Sequence, residues 1–468
     1  MNSRHWDIGG IENSVVYGAA KVLNGLPLYG DPESANFDIT QYTPLYYHCL
    51  TTVARLTDVN PMENLHGLYL IGRSLSLAFN LLGAWVVYRT LIAVFEVDSR
   101  LASIASVLSF LTLSDFHFAA RPDSLFFLTG TVVVYCFSAY LTETRSRERG
   151  ILFALGILAA AISVFVKQTG VQYVGFIPLF FLSQRRYRDF LFSSVSLPLA
   201  TIGFYLLFRS IHGPFFDKNI IGGLNNGTSF VAMAELLTLF LLRHQTWVIL
   251  GAIATVHVLS NREESRSTRF LALLALWLFI FAAGTSLKRG SWLNYYTDFL
   301  NTLLILTAIR MDRLWKHAWW DEDFKRLLKA LSTACLAICL PSLLVQTLGP
   351  KWRQHFPRAG KAYAQTVEMK RPAAEYLRAH LTEGQYLLAF DRHVELMLAD
   401  RAVMPNKEII PSEVNYDYKG FYNAVDNGTI RYFLLAKTAL GERFMGIDYS
   451  RFPKVYEDGS FVILENNH

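Results

Sequence analysis

Residues 145–188 have the sequence RSRERGILFALGILAAAISVFVKQTGVQYVGFIPLFFLSQRRYR, and this stretch decides the fold. It holds two apolar runs, 150–166 and 170–184, with charged residues only before, between and after them. A helix needs about 20 apolar residues to cross the ~30 Å hydrocarbon core of a bilayer, so the shorter run must be tilted or packed among neighbours. The stretch predicts two membrane-spanning helices joined by a tight turn at Lys167.

The same alternation of apolar runs and short polar breaks continues along most of the chain. Hydrophobic residues make up 52% and charged residues 18% of the 468 residues. We predict spans at 68–95, 100–115, 124–142, 150–166, 170–184, 189–209, 246–260, 269–286, 294–310 and 328–347. The sequence therefore predicts a mainly α, polytopic membrane protein with about ten transmembrane helices.

The Lys and Arg residues assign the loops to two sides of the membrane, because short cytoplasmic loops are enriched in them. Basic clusters predicted to be cytoplasmic occur at 145–149, 185–188, 262–269 and 310–316. The alternate segments are then external, namely 1–65, the turns at Arg121 and Lys167, 209–246, the loop at Lys288 and everything after Thr347. The net charge of +6 reflects this topology, so we predict no nucleic-acid partner.

Three regions follow from this topology in the inner or plasma membrane. Residues 1–65 form an external loop with amphipathic interfacial helices at Ser14–Leu23 and Pro44–Leu56. Residues 66–347 form the transmembrane domain. Residues 348–468 form a small extracytoplasmic (periplasmic) α/β domain, with strands predicted at Tyr386–Phe390, Tyr432–Leu435 and Phe461–Leu464. The N-terminus lacks a signal peptide, so we expect either a missing preceding span or unaided translocation of this short segment.

Charged and polar groups gather at the outer ends of the predicted spans, where burial beside lipid is costly unless pairing or function compensates. Besides Glu12, they form the clusters Arg121-Pro122-Asp123, Lys167-Gln168-Thr169 and Lys288-Arg289-Gly290, the last leading to Asn294–Asp298. Cations neutralise a phosphate, and a carboxylate can accept a proton or bind a metal. We predict that a lipid-phosphate head group binds Arg121, Lys167, Lys288 and Arg289. The alternative is that these basic side chains only snorkel to lipid head groups.

Several external motifs resemble those of one enzyme family. ENSVVYGA at Glu12–Ala19, LPLYGDP at Leu26–Pro32 and YTPLYY at Tyr42–Tyr47 are similar to the first external loop of GT-C fold glycosyltransferases. The relevant branch contains protein O-mannosyltransferases and lipid A aminoarabinose transferases. Its second and third external turns and a later loop resemble Ala120–Asp123, Val166–Thr169 and Lys288–Asp298. The resemblance implies a membrane glycosyltransferase that takes sugar from a polyprenyl phosphate.

The resemblance also implies roles for individual residues. In the family an acidic residue of the first external loop is the catalytic base, and Glu12 takes that position. The family often has an Asp-Glu pair where this chain has Ile11-Glu12, so Asp7, Asp31 and Asp38 are alternative bases. The mechanism implied is a single displacement, in which the base accepts the proton of an acceptor hydroxyl while the sugar leaves the phosphate.

The predicted substrate contacts come from the same external clusters. They are Asp123, Gln168, Asn294, Tyr295 and Asp298. The resemblance requires no cofactor and leaves a divalent metal ion open. The expected partners are a polyprenyl-phosphate-sugar donor, an external lipid, glycan or protein acceptor, and the bilayer itself.

Two other functions fit the same sequence. A transporter or flippase would recognise the same lipid phosphates, although such proteins bind substrates near the bilayer midplane and these carboxylates lie in external loops. A non-catalytic subunit of an envelope assembly would keep the fold without the base, which Ile11 in place of an acid allows. Replacing Glu12 with Gln distinguishes these functions from catalysis.

Overall fold

The computed structural model describes residues 12–34, 36–112, 119–222, 227–288, 290–316, 365–403, 419–437 and 446–467. Helices account for most of the described chain up to residue 316. They are α1 (Glu12–Leu23), α2 (Leu45–Leu56), α3 (Leu65–Phe95), α4 (Ser99–Thr112), α5 (Asp123–Thr142), α6 (Ser146–Val166), α7 (Val171–Ser183), α8 (Tyr187–His212), α9 (Phe215–Gly222), α10 (Phe230–Ser260), α11 (Arg266–Thr285) and α12 (Thr297–Trp315).

Six of the described helices are long and apolar enough to cross a membrane, namely α3, α5, α6, α8, α10 and α11. Three more predicted spans correspond to the shorter or less apolar helices α4, α7 and α12. The predicted span at 328–347 lies outside the described residues. The structure therefore has the expected series of apolar helices, and the number of ten crossings stays a prediction.

The helices pack so that their ends bring distant parts of the chain together. Helix α5 packs between α3 and α6, and α11 packs against α5, α7, α10 and α12. Buried aromatic rings fill the space between them, with the Phe270 ring against those of Phe137 and Phe180. Because turns join these helices, the residues just before α5, α7 and α12 meet at one end of the bundle.

Helix α3 extends well beyond the length that a bilayer requires. Its 31 residues rise about 46 Å, compared with a hydrocarbon core of ~30 Å. The helix begins after Asn64, whose side chain accepts a hydrogen bond from the Gly67 amide at 2.8 Å. Its first turns pack against α1, a helix of the predicted external loop, so they carry side chains to the bundle end that faces this loop.

The first external loop contains both predicted amphipathic helices, as α1 and α2. The sequence also predicts an interfacial helix at Val231–Arg243, and in the structure it is continuous with the predicted span 246–260 in α10, with a break in helical geometry at His244. The break separates residues 230–243 from the rest of the helix. Both predictions of helical structure are confirmed, and the two elements form one bent helix.

The C-terminal region is a small α/β domain, as predicted. Its described helices and strands are α13 (Arg371–His380), β1 (Tyr386–Ala389), α14 (Arg392–Met397), α15 (Lys419–Asp426), β2 (Ile430–Ala436), β3 (Lys454–Glu457) and β4 (Phe461–Glu465). The strand order is β1-β2-β4-β3, with β1 parallel to β2 and the other pairs antiparallel. The three predicted strands are confirmed, whereas β3 was not predicted.

The loop that is predicted to be external is built into this C-terminal domain. Phe37 and Ile39 belong to the same buried cluster as residues of β1, β2 and β4, and the Phe37 ring packs edge-on against Phe421. The Tyr17 hydroxyl of α1 donates to the Ala399 carbonyl at 3.1 Å. The loop and the domain therefore share a core, although they are far apart in sequence.

Candidate active site

Asp123, the first residue of α5, is the centre of a buried polar cluster. Its Oδ1 accepts a hydrogen bond from Lys167 Nζ at 2.8 Å and another from Asn294 Nδ2 at 2.7 Å. Its Oδ2 accepts from Arg121 Nε at 3.0 Å. The three charged side chains are 4–5% exposed. Three segments that are distant in sequence thus meet at one carboxylate, and two cations with one anion leave a net charge of +1.

Lys167 lies directly after α6 and is enclosed by aromatic rings as well as by Asp123. Its Nζ is 4.8 Å from the centre of the Tyr295 ring and 5.9 Å from that of Phe126. Burial opposes the positive charge of Lys167, but the attraction of Asp123 outweighs burial and raises its pKa. Lys167 is therefore held as a cation at neutral pH.

The position of Lys167 depends on a sharp turn between α6 and α7. Residues Gln168–Gly170 form a single 3₁₀ turn, which doubles back onto the end of α6. A β-carbon on Gly170 would overlap the backbone of Ser163, so only glycine fits there without moving the turn. The close approach keeps Lys167 pointed at Asp123.

Glu12, at the start of α1, is fully buried and forms a two-point ion pair. Its Oε1 accepts from Arg73 Nε at 2.9 Å, and its Oε2 from Arg73 Nη2 at 2.8 Å. The Ala120 amide also donates to Oε1, at 2.7 Å. Ala120 directly precedes Arg121, so the carboxylate lies beside the Asp123 cluster, and the two predicted groups come together.

A close contact between α3 and the turn before α5 fixes this geometry. A β-carbon on Gly72 would lie 2.5 Å from the β-carbon of Ala120, closer than two such atoms can approach. The absence of a side chain at Gly72 lets the turn sit against α3. The neighbouring Arg73 then reaches Glu12 in the plane that a bidentate contact requires.

Arg73 was not predicted, although it is the partner of the predicted base. It falls inside the predicted apolar span 68–95, where the high average hydropathy of the segment conceals its two charged residues, Arg73 and Arg89. An ionisable residue within an apolar span is by itself a signal of function or pairing. Its guanidinium also lies over the Tyr69 ring, 5.1 Å from the ring centre.

Asp298, in the first turn of α12, is buried among residues of α7. Its Oδ2 accepts from Gln172 Nε2 at 2.6 Å and from the Tyr173 hydroxyl at 2.8 Å. The indole of Trp277 in turn donates to the Gln172 carbonyl at 2.9 Å. These bonds join α7, α11 and α12.

The other two acidic candidates of the external loop are engaged in ion pairs of their own. Asp38 pairs with Lys21 at 2.5 Å, and both side chains are buried. Asp31 pairs with Lys218 of α9 at 2.9 Å and is partly exposed. Asp7, the remaining alternative base, lies outside the described residues.

The remaining predicted residues have different surroundings. Gln168 Nε2 donates to the Gln41 carbonyl, which joins the α6–α7 turn to the first external loop. Lys288 is partly buried, and its backbone pairs with Thr228 in an isolated β-bridge. Arg289 lies outside the described residues. A phosphate-binding role for Lys288 and Arg289 stays a prediction.

The described side chains do not match a metal site. Among the described residues, no group of three or more His, Cys, Asp or Glu side chains is placed to hold a metal ion. Both oxygens of Asp123 already accept from cations or an amide. The cluster is suited to an anion, because its own charge is positive.

No family model and no curated protein matches the sequence. The structure is similar to ArnT from Cupriavidus metallidurans bound to undecaprenyl phosphate, with a TM-score of 0.62. This match covers 99% of this chain and 95% of that chain at 14% identity.

Two structures of the Archaeoglobus fulgidus oligosaccharyltransferase are also similar. The complex with Zn and sulfate has a TM-score of 0.56 at 11% identity, covering 97% of this chain and 69% of that chain. The AglB complex with an inhibitory peptide and a dolichol-phosphate has a TM-score of 0.52 at 12% identity, covering 92% and 66%. These similarities extend over nearly all of this chain, which therefore has the GT-C fold.

Proposed function

We propose that this protein is an integral membrane glycosyltransferase. It transfers a sugar from a polyprenyl-phosphate donor to a hydroxyl group of an extracytoplasmic lipid, glycan or protein. The fold supports this proposal, since similar structures bind undecaprenyl phosphate or dolichol-phosphate. The observation that carries it is the buried cluster of Arg121, Asp123 and Lys167, whose net charge of +1 is suited to a lipid phosphate.

The cations would act on the leaving group. In a single displacement the acceptor oxygen forms a bond to the anomeric carbon, and the bond from that carbon to the phosphate oxygen breaks. The bonding electron pair passes to the phosphate. Arg121 and Lys167 stabilise this negative charge as it develops, in a site with little water, where preorganised charges are most effective.

Glu12 would accept the proton that the acceptor hydroxyl loses. The bidentate Arg73 and the Ala120 amide fix the orientation of the carboxylate. The partners of Glu12 position it as a base. It takes a proton from the acceptor hydroxyl, which becomes more acidic as its oxygen attacks the anomeric carbon. The acceptor must approach along the Glu12 side of the turn that carries Arg121.

A deletion strain tests the proposal. The strain is complemented with the wild type, Glu12→Gln or Glu33→Gln, and its envelope glycolipids and glycoproteins are examined by mass spectrometry. Glu33 is a matched control, because it is an exposed carboxylate of the same loop, 3.9 Å from Lys218. We expect one sugar modification to depend on the wild-type gene, to disappear with Glu12→Gln and to persist with Glu33→Gln.

The full burial of Glu12 favours a second candidate, a non-catalytic subunit that only binds the lipid phosphate. Both oxygens of the carboxylate are engaged by partners, as in a purely structural ion pair. In that case Glu12→Gln would keep the sugar modification wherever the protein remains folded. Binding of undecaprenyl phosphate to the purified variants would then be the only activity of the site.

A further inference from the structure

Three polar atoms near the candidate site are buried without partners. They are Thr43 Oγ1, Thr169 Oγ1 and Asn294 Oδ1, none of which has a hydrogen-bond partner in the part of the chain that the structure describes. Leaving such an atom unsatisfied destabilises a fold, so buried polar atoms nearly always have a partner. A cluster of exceptions at one site indicates a polar ligand that supplies the missing hydrogen bonds.

Each of the three atoms belongs to a segment that surrounds Lys167. Thr169 lies in the turn directly after it, and Asn294 donates to the same Asp123 oxygen as Lys167. Thr43 is only 2% exposed and directly follows Tyr42.

The segment Gln41–Thr43 is held against this cluster from two sides. Gln168 donates to its first carbonyl, and the Tyr29 hydroxyl donates to the Tyr42 carbonyl at 2.8 Å. Burial raises the pKa of the Tyr42 phenol, and the positive charges of Arg121 and Lys167 partly offset that rise. The hydrogen bond from Gln168 thus ties the segment that contains Thr43 to the turn that contains Thr169.

The chemistry of the unpaired atoms defines what they recognise. Two hydroxyls can donate or accept, and one amide oxygen can only accept. The Asn294 oxygen needs a donor, which a sugar hydroxyl offers and an ionised phosphate does not. We propose that Thr43, Thr169 and Asn294 form a subsite that reads the hydroxyl groups of the transferred sugar, beside the cations that hold its phosphate. This inference rests on the proposed glycosyltransferase function.

Competition binding to the purified full-length protein tests the subsite. The probes are undecaprenyl phosphate alone and undecaprenyl phosphate carrying glucose, mannose, galactose or arabinose. The measured quantity is the gain in affinity that the best sugar gives over the sugar-free lipid. The variants are Thr43→Val and Thr169→Val, which remove a hydroxyl and keep the shape. Thr201→Val is the matched control, since its hydroxyl is also buried without a partner in the described chain but lies in α8.

We expect the wild type and Thr201→Val to show the same gain. In Thr43→Val and in Thr169→Val the gain in affinity should be about three- to tenfold smaller than in the wild type, which corresponds to the loss of one hydrogen bond. Their unchanged affinity for the sugar-free lipid would demonstrate intact folding. An equal gain in all variants, or no gain with any sugar, would overturn the subsite. Failure of every protein to bind the sugar-free lipid would instead refute the proposed function.

Discussion

Replacing Asp123 with Asn removes the one negative charge that two buried cations share. Arg121 and Lys167 are each at most 5% exposed, and neither can move into water without opening the turn that carries it. Removing one partner of a buried ion pair costs about 3–5 kcal/mol, because the remaining charge is left uncompensated. We therefore expect Asp123→Asn to lower the unfolding free energy by about that amount.

The same variant should respond more strongly to ligand than the wild type. A lipid phosphate would restore the missing negative charge. A ligand at 100 times its Kd stabilises any protein by ~2.7 kcal/mol. We expect the lipid phosphate to stabilise the variant by more than this amount. The assay is thermal unfolding in detergent, with and without undecaprenyl phosphate. The rise in unfolding temperature on adding lipid is compared between proteins.

Glu264 provides the matched control for this experiment. Its side chain is 3% exposed and pairs with Arg310 and Arg313 at the other end of α12. Glu264→Gln should lose similar stability, with the wild-type response to lipid. Our reasoning would be refuted if Asp123→Asn unfolded at the wild-type temperature, or if both variants gained equally from undecaprenyl phosphate.

Three further predictions concern other parts of the structure. Gly170→Ala should abolish sugar transfer and weaken binding of undecaprenyl phosphate, because its methyl group overlaps Ser163 and displaces the turn; wild-type binding would contradict this. Tyr17→Phe loses the hydrogen bonds to the C-terminal domain and should cost about 1 kcal/mol in thermal unfolding, with faster proteolysis between the domains; unchanged proteolysis would argue against this docking role. Burial lowers the pKa of His48, whose Nε2 lies 3.1 Å from Nε2 of His212. The folded protein therefore favours the neutral form of His48. Its contact with His212 contributes fully to stability above about pH 6.5 and contributes less as the pH falls. His48→Gln should therefore flatten the acid dependence of thermal stability, and an unchanged pH profile would contradict this.

The meeting of Arg121, Asp123, Lys167 and Asn294 could be predicted from the sequence. Each lies at the end of an apolar run, and alternate runs end on the same side of a membrane. Hydropathy thus places these residues on one face without any knowledge of packing. It cannot select which cation pairs with which carboxylate, because that depends on helix neighbours such as α5 and α6.

The partner of Glu12 and the docking of the C-terminal domain could not be derived in this way. Arg73 is one charge among apolar neighbours in a helix longer than the bilayer, so its depth depends on where α3 begins. Phe37 and Ile39 lie in a turn-rich link and show no regular period. Their burial arises from β1 and β2, more than 300 residues later. Long-range packing of this kind leaves no local pattern.

The central claim is that side chains from distant segments surround one lipid phosphate at the end of the helix bundle. A cryo-electron microscopy structure of the full chain with undecaprenyl phosphate tests it most directly. The account predicts phosphate oxygens about 3 Å from Lys167 Nζ and from the Arg121 guanidinium. A phosphate bound elsewhere, with the ion pairs of Asp123 left intact, would contradict it.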